Sequence, residues 1–227
     1  MEYGQFCPIA KAMEILGERW TLLIVRELLM GARRFNELQR GLNLISPTIL
    51  TKRLNDLADN GVILRRRIAG QRGFEYLPTE MCQQLLPVLL QLGEWGMRWA
   101  RGGMDEGDLD VELLMLYLER SIKPDMLPGG QAVVRFTFTD LEKFRDWWLI
   151  VAEAKTELCI RDPGKEIDIY FTVDLRTMIE VWMGDTSYRE ATQTGRLKII
   201  GPSVLTRDIK SWLTPSVFAG IPSAAGI

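Results

Sequence analysis

Between positions 46 and 60, short polar and basic side chains recur at helical spacing beside an apolar stripe. Ser46-Pro47 is a strong helix start, because a serine hydroxyl caps the first turn and proline fits its first position. The outward side chains are uncharged or basic: Thr48, Thr51, Lys52 and Asn55. Such groups can hydrogen-bond phosphate oxygens and base edges, so this face has the chemistry of a nucleic-acid contact. The alternative is an ordinary solvated helix face.

Three consecutive arginines follow this helix inside a predicted hairpin. Residues 62–68 and 73–77 are predicted as two short strands, joined by a tight glycine-containing link that carries Arg72. On its own, an arginine run is more typical of a solvated strand face. Beside a capped polar helix, the run at 65–67 favours contact with DNA, and strand alternation predicts that Arg66 points away from its neighbours.

The predicted DNA-binding residues are those of the capped helix and of the hairpin. They are Ser46, Pro47, Thr48, Thr51, Lys52, Arg53, Asn55, Arg65, Arg66, Arg67 and Arg72. A helix of this kind fits the major groove, and the hairpin can lie along the neighbouring backbone or minor groove. Phosphate and base contacts look alike in sequence, so no residue is assigned a base.

The elements that must position these residues are mostly helices. The apolar periodicity predicts helices over 9–16, 20–30, 34–41 and 46–60, and one long helix over 79–100 after the hairpin. The order is helix, short turn, capped helix and hairpin, which is that of a winged helix-turn-helix. Leu85, Leu86, Leu89, Leu92, Trp95 and Trp99 are predicted on the apolar side of the long helix.

A series of motifs in residues 7–99 resembles the HxlR-type winged-helix transcriptional regulators. The motifs are CPI at 7–9, LGERW at 16–20, LLMG at 28–31, RFNEL at 34–38, ISPTILTKRL at 45–54, LADNG at 57–61, YLPT at 76–79 and LGEWG at 92–96. Pro78 departs from the family, which tends to have leucine or threonine there. The resemblance implies a homodimer whose first and last helices pack across a two-fold axis, with each wing flanking double-stranded DNA.

After a linker at 102–108, rich in glycine and acidic residues, strands and helices are interleaved, which indicates an α+β fold. Helices are predicted over 109–122, from the cap Asp140 to Val151, after the cap Asp174, and near 204–213. Strands are predicted at 132–138, at 157–161 and 167–173 around a turn at 162–165, and at 197–200. The predicted domains are 1–101 and 109–215, with a flexible tail at 216–227.

The second domain resembles a sterol carrier protein 2-type domain at 167–175, 182–185 and 195–201. The resemblance implies a helix layer over a sheet, often with an apolar lipid-binding tunnel. The residues predicted to line a small apolar or lipid-like ligand are Phe136, Phe138, Trp147, Trp148, Phe171, Met178 and Trp182. The equal alternative is that they fill a small core, as aromatic and methionine side chains do in many domains.

Charge divides the chain unevenly. Residues 1–102 hold 14 Lys and Arg against 10 Asp and Glu, a net of +4, whereas residues 103–227 have a net of −6. The first part is attracted to phosphate, and the second is repelled by it. The acidic second part is expected to favour neutral or cationic ligands over strongly anionic ones.

Three cysteines and no histidine limit the chemistry. The cysteine number and spacing indicate neither a disulfide framework nor a zinc site, so we expect no metal, no cofactor and no enzyme activity. Cys7 occupies a position at which some HxlR relatives sense oxidants, and Lys11 one turn later could stabilise a thiolate. The alternative is a packed cysteine at a helix start. No basic-apolar leader is seen, so a cytoplasmic protein is expected.

Three functional hypotheses follow. The favoured one is a homodimeric DNA-binding transcriptional regulator, controlled by a small apolar ligand in its second domain. The second is a lipid carrier whose N-terminal domain serves mainly to dimerise it. The third is a regulator whose second domain is structural and binds nothing.

Overall fold

The computed structural model describes residues 2–70, 72–100, 105–222 and 224. The chain divides into two compact units, Met1–Trp95 and Gly96–Ile227. Within the described residues, no helix combines the length and apolar character needed to cross a membrane.

The N-terminal unit is a helix-turn-helix followed by a two-stranded wing. Its elements are α1 (Pro8–Leu16), α2 (Thr21–Leu29), α3 (Phe35–Arg40), α4 (Pro47–Asp59), β1 (Ile63–Arg67), β2 (Phe74–Pro78), α5 (Glu80–Gln83) and α6 (Leu86–Trp95). The predicted cap is confirmed, because the Ile49 N–H donates to Ser46 Oγ at 3.3 Å. The predicted hairpin is confirmed by the antiparallel pairing of β1 with β2.

The core of this unit lies between α2, α3 and α4. Ile24 and Leu28 of α2, Leu38 of α3, and Leu50 and Leu54 of α4 are all fully buried. Burying a side chain of this size stabilises a fold by about 1.5–3 kcal/mol. The apolar stripe of α4 therefore packs into the core, and its polar face is exposed to solvent.

The prediction of one long helix over 79–100 was wrong. The segment forms α5, a turn, α6 and then a π-helical turn at Gly96–Ala100. Pro87 explains the break, because proline has no N–H and its ring clashes with the carbonyl four residues earlier. That earlier residue is Gln83, where α5 ends.

The C-terminal unit is a five-stranded sheet with helices. The strands are β3 (Ala132–Phe138), β4 (Asp146–Ala152), β5 (Lys155–Cys159), β6 (Ile169–Val173) and β7 (Leu197–Ile200), in the spatial order β5-β4-β3-β6-β7. Only the β3–β6 pairing is parallel. The helices are α7 (Val111–Ser121), α8 (Leu175–Met183), α9 (Tyr188–Gln193), α10 (Ser203–Thr206) and α11 (Ile209–Trp212), with 3₁₀ turns at Glu106–Asp108 and Pro124–Met126.

Alternation along the strands sends one set of side chains into a core shared with the helices. Phe136 of β3 stacks on Phe171 of β6 with ring centroids 4.7 Å apart. Leu118 of α7, Met178 of α8 and Trp212 of α11 are buried in the same cluster. The unit is therefore α+β, as predicted.

The prediction of a helix from Asp140 to Val151 was wrong. Residues 146–152 form β4, which pairs with β3 so that Trp147 lies opposite Phe136. The aromatic and β-branched run explains this, because alternate residues of β4 are buried on the core side. Asp140 instead accepts the N–H of Leu175 at 3.0 and 3.1 Å, at the start of α8.

Three further segments differ from expectation. The turn at 162–165 does not join neighbouring strands, because β5 pairs with β4 and β6 with β3. The predicted last helix is divided into α10 and α11. Residues 102–104 of the predicted linker lie outside the described residues. At the start of the predicted flexible tail, Ser216 is buried and its N–H donates to the Trp182 carbonyl at 2.8 Å.

A buried carboxylate fixes the turn that leads into α4. Glu27 is 0% exposed and pairs with Arg26 at 2.9 Å, while Arg26 Nη2 donates to the carbonyl of Gly41 at 3.3 Å. A Cβ at position 41 would overlap Oε2 and Cδ of Glu27. The glycine is needed there because this carboxylate is enclosed and held by a partner.

We therefore expect Gly41→Ala to destabilise the protein by about 1–3 kcal/mol, the usual cost of overpacking a filled core. Urea unfolding of the full chain measures this. Gly96→Ala is the matched control, because a Cβ there meets nothing within 4 Å. Equal stability of Gly41→Ala and wild type would show that the carboxylate moves aside freely.

Candidate nucleic-acid interface

The N-terminal half of α4 presents an exposed surface without acidic groups. Thr48, Thr51, Lys52 and Asn55 are all exposed. The Thr51 hydroxyl donates to the Pro47 carbonyl at 2.8 Å, so its own helix uses the hydroxyl proton. Ser46 and Pro47 are exposed at the start of the helix, where the N–H groups carry a partial positive charge. An anion such as a phosphate can be bound at this end.

Arg53 faces the protein rather than solvent. Its side chain is only 12% exposed, and Nη2 lies 2.6 Å from Glu18 and Nη1 2.9 Å from Asp56. Its Nε donates to the Arg19 carbonyl at 3.2 Å. These contacts join α4 to the loop between α1 and α2. The structure thus gives Arg53 contacts that hold α4 in position.

The wing places its three arginines on two different sides. Arg65 lies over the Phe74 ring at 3.7 Å and Arg67 lies 5.7 Å from the same ring. Arg66 faces the other way and its Nε donates to Glu75 at 2.7 Å. The predicted alternation is confirmed. This hydrogen bond lowers the pKa of Glu75 and raises the pKa of Arg66.

The wing and α4 are connected by one side-chain hydrogen bond. Arg65 Nη1 donates to Asn55 Oδ1 at 3.3 Å, which orients the amide on the outer face of α4. Sequence reasoning selected both residues but missed this pairing, and it also missed Phe74 as the ring on which Arg65 rests. Arg72 is exposed in the link between the strands.

Comparison with known proteins bears on this arrangement. The HxlR-like helix-turn-helix family matches residues 15–104. The uncharacterized HTH-type transcriptional regulator YvaP of Bacillus subtilis (strain 168) is 36% identical over 101 residues, which are 44% of this chain and 94% of that relative. The chain belongs to the HxlR-like helix-turn-helix family.

Other relatives match a similar share of the chain. The uncharacterized HTH-type transcriptional regulator Rv3095 of Mycobacterium tuberculosis (strain ATCC 25618 / H37Rv) is 39% identical over 89 residues, 39% of this chain. The match spans 56% of that relative, so the chain covers about half of its length. The reduced form of the regulator YodB from B. subtilis is 28% identical with a TM-score of 0.37, covering 44% of this chain and 100% of that chain.

These relatives are HTH-type transcriptional regulators, which supports a DNA-binding regulator for this member of the HxlR-like family. The family match ends at residue 104, so the sterol carrier protein 2-like character of the second unit stays a prediction.

Six of the seven predicted ligand-lining residues contribute to one core. Phe136, Phe138, Phe171 and Met178 are fully buried and Trp147 nearly so, while Trp182 packs against this cluster. Trp182 Nε1 donates to Ser121 Oγ at 2.9 Å, and its ring stacks on Tyr117. Trp148 follows Trp147 along β4, so it faces the opposite side of the sheet, where Arg135 lies 5.5 Å from its ring.

Cys7 is half-buried just before α1. The Lys11 ammonium, expected to face it, instead contacts both oxygens of Glu14 at 3.0 Å. Burial raises the pKa values of the Cys82 and Cys159 thiols, which opposes thiolate formation there. In the part of the chain that the structure describes, no group of three or more potential ligands could hold a metal ion.

The contacts of Arg53 and Arg66 predict different effects on stability. Arg53→Gln should cost about 1 kcal/mol, because a mostly buried side chain loses two ion pairs whose partners are themselves partly solvated. Arg66→Gln breaks one pair in which the arginine is 60% exposed, and it should cost less than about 0.5 kcal/mol. Thermal and urea unfolding measure both variants. Equal losses would mean that Arg53 does not hold α4.

Proposed function

We propose that this chain is a homodimeric DNA-binding transcriptional regulator, in which α4 enters the major groove and the wing follows the neighbouring phosphate backbone. The observation that carries the proposal is the capped helix α4 with its exposed polar face. Asn55 on this face accepts a hydrogen bond from Arg65 of the wing. A helix of this width fits the major groove of B-form DNA, where short polar side chains reach the base edges.

Charge supports the proposal. Arg67 is exposed and has no ion pair among the described residues, so its positive charge is available to a phosphate. Arg66 is already neutralised by Glu75. Arg53 is engaged by Glu18 and Asp56, so we assign it to positioning α4, not to phosphate binding. Lys52 and Asn55 are the side chains best placed to read bases.

The two outer helices of the N-terminal unit support dimerisation. No residue of α1 is buried, and Ile9 is 74% exposed. In α6, Leu92 is 49% and Trp95 58% exposed, and Gln91 and Glu94 are the polar side chains of this otherwise apolar helix. A helix of that composition is normally covered by other protein, and exposed apolar side chains in such number are typical of an interface. A second copy of the chain would provide that cover and would place two recognition helices on one duplex.

The salt dependence of DNA binding tests the groove contacts. Arg67→Ala should weaken binding to specific and random duplexes alike and lower the slope of log K against log salt by about 0.9, the value for one lost phosphate contact. Arg66→Ala is the matched control and should change the slope much less, because Glu75 already pairs with that arginine.

Lys52→Ala should instead narrow the difference between specific and random DNA, because a base contact carries discrimination of about 1–3 kcal/mol. Unchanged slopes for both wing variants, together with unchanged discrimination for Lys52→Ala, would show that this face does not bind DNA.

Light scattering tests the dimer. The wild type should be dimeric at micromolar concentration. On DNA, the two half-sites of such a dimer should lie about 10–10.5 bp apart or a multiple of that spacing. The double variant Leu92→Glu/Trp95→Glu should be monomeric, because two carboxylates would be buried without partners in the interface. Val217→Glu, at an exposed apolar residue of the other unit, should leave the dimer intact. A monomeric wild type would contradict the proposal.

The alternative is a lipid carrier that uses its N-terminal unit only to dimerise. In that case, none of the variants above should differ from the wild type in a DNA-binding measurement. An apolar ligand between the predicted lining residues would have to displace packed side chains, because five of them are at most 2% exposed. Control by such a ligand and redox sensing at Cys7 both stay predictions. Mass spectrometry of lipids extracted from the purified protein tests the first.

A further inference from the structure

A cleft of about 590 Å³ lies in the C-terminal unit, and none of the predicted ligand-lining residues lines it. It is formed by side chains from the start and end of α9, from β7, and from the segment that joins α10 to α11. The lining residues are Ser187, Tyr188, Arg189, Thr192, Gln193, Ile199, Thr206, Arg207, Asp208, Ile209 and Lys210. A cleft of this size is in the range of small-molecule sites.

The lining carries three cations, Arg189, Arg207 and Lys210, against the single carboxylate of Asp208. Within the described residues, no ion pair joins any of the three cations to a carboxylate. This local charge is opposite to the net −6 of residues 103–227. A patch of excess positive charge in an acidic domain focuses the local field on an anion.

The two threonine hydroxyl protons of the cleft are already used by the fold. Thr192 donates to the Tyr188 carbonyl at 2.7 Å and Thr206 to the Pro202 carbonyl at 3.2 Å. Ser187 Oγ accepts the Glu190 N–H as the cap of α9. The donors left for a ligand are the cationic groups, the Ser187 and Tyr188 hydroxyls and the Gln193 amide, and of these only the cationic groups favour an anion over a neutral ligand by their charge.

The floor of the cleft is apolar. Tyr188 and Ile209 are buried, and the Tyr188 ring meets Phe171 of the core edge-on with centroids 6.4 Å apart. Ile199 of β7 is partly buried beside them. Burial raises the pKa of Tyr188, so its hydroxyl is a neutral hydrogen-bond donor at physiological pH. An apolar floor below a cationic rim matches a molecule that is apolar at one end and negatively charged at the other.

We propose that this cleft binds a small organic anion, whose carboxylate or phosphate contacts Arg189, Arg207 and Lys210 and whose apolar body lies on Tyr188, Ile199 and Ile209. The site differs from the predicted apolar-ligand site in residues and in charge. The net charge of the domain led us to expect neutral or cationic ligands, but the arrangement of charge around this cleft selects anions. Binding here does not depend on the proposed DNA contacts.

Isothermal titration of the full-length protein without DNA tests the proposal, with naphthalene-2-carboxylate as the probe and the neutral 2-naphthamide as its analogue. The carboxylate should bind at one site per chain, at least about tenfold more tightly than the amide, since a charge-assisted hydrogen bond is about twice as strong as a neutral one.

Arg207→Gln/Lys210→Gln should weaken binding of the carboxylate about tenfold or more and leave the melting temperature of the free protein nearly unchanged, because both side chains are exposed.

Lys198→Gln is the matched control for a lost positive charge. It lies on β7 beside Ile199 but faces the other side of the strand and does not line the cleft, so affinity should be unchanged. Equal affinities for acid and amide, full affinity in the double variant, or no binding by the wild type at millimolar probe would each overturn the proposal. None of these results would bear on DNA binding, because no DNA is present.

Discussion

Arg53 positions helix α4 against the loop between α1 and α2, and the way α4 presents its outer face depends on that placement. Arg53 holds together Glu18, Asp56 and the carbonyl of Arg19 while remaining 12% exposed. Planar guanidinium geometry suits such multiple contacts better than an ammonium group does. The buried inner stripe of α4 sets which way its outer residues face, and Arg53 adds a connection to the loop before α2. The polar face and the wing arginine joined to Asn55 are then presented together.

A second constraint comes from the exposed apolar side chains of the N-terminal unit. The N-terminal unit fills its core mainly from α2, α3 and α4, and several apolar side chains of α1 and α6 stay exposed, among them Ile9, Leu92 and Trp95. Exposed tryptophan and leucine at this density are costly for a monomer in water. In the proposed dimer, a two-fold partner would bury them and would also double the DNA contacts.

The sequence predicted the N-terminal unit well because its signals are local. Each of these signals depends on neighbours within one or two helical turns. They are the Ser46-Pro47 helix start, the glycine after Asn60 and the 3.6-residue periodicity. The exception was Pro87, whose clash with the preceding turn outweighed a continuous apolar pattern.

In the C-terminal unit, by contrast, β4 contains a short apolar run that suits either a helix or a strand. Only its pairing with β3 and β5, which is non-local, decides between them.

The candidate site shows the same division. The types of residue on α4 and the alternation of the wing arginines could be predicted from local pattern. The partners of Arg53 could not, because Glu18 lies 35 residues away in sequence and an arginine near a DNA-contacting face looks like a phosphate ligand. The cationic cleft was also hidden, because its residues come from separate elements and the net charge of the domain has the opposite sign.

Footprinting on the DNA upstream of the protein's own coding sequence tests the central claim most directly. A sequence-specific winged-helix dimer should give two protected half-sites, about one helical turn apart or a multiple of it, each with protection in the major groove where α4 lies and on the flanking backbone beside the wing. Protection should disappear when random DNA is substituted at physiological salt. Uniform protection without half-sites, or none at low salt where electrostatic binding is strongest, would contradict a sequence-specific winged-helix regulator.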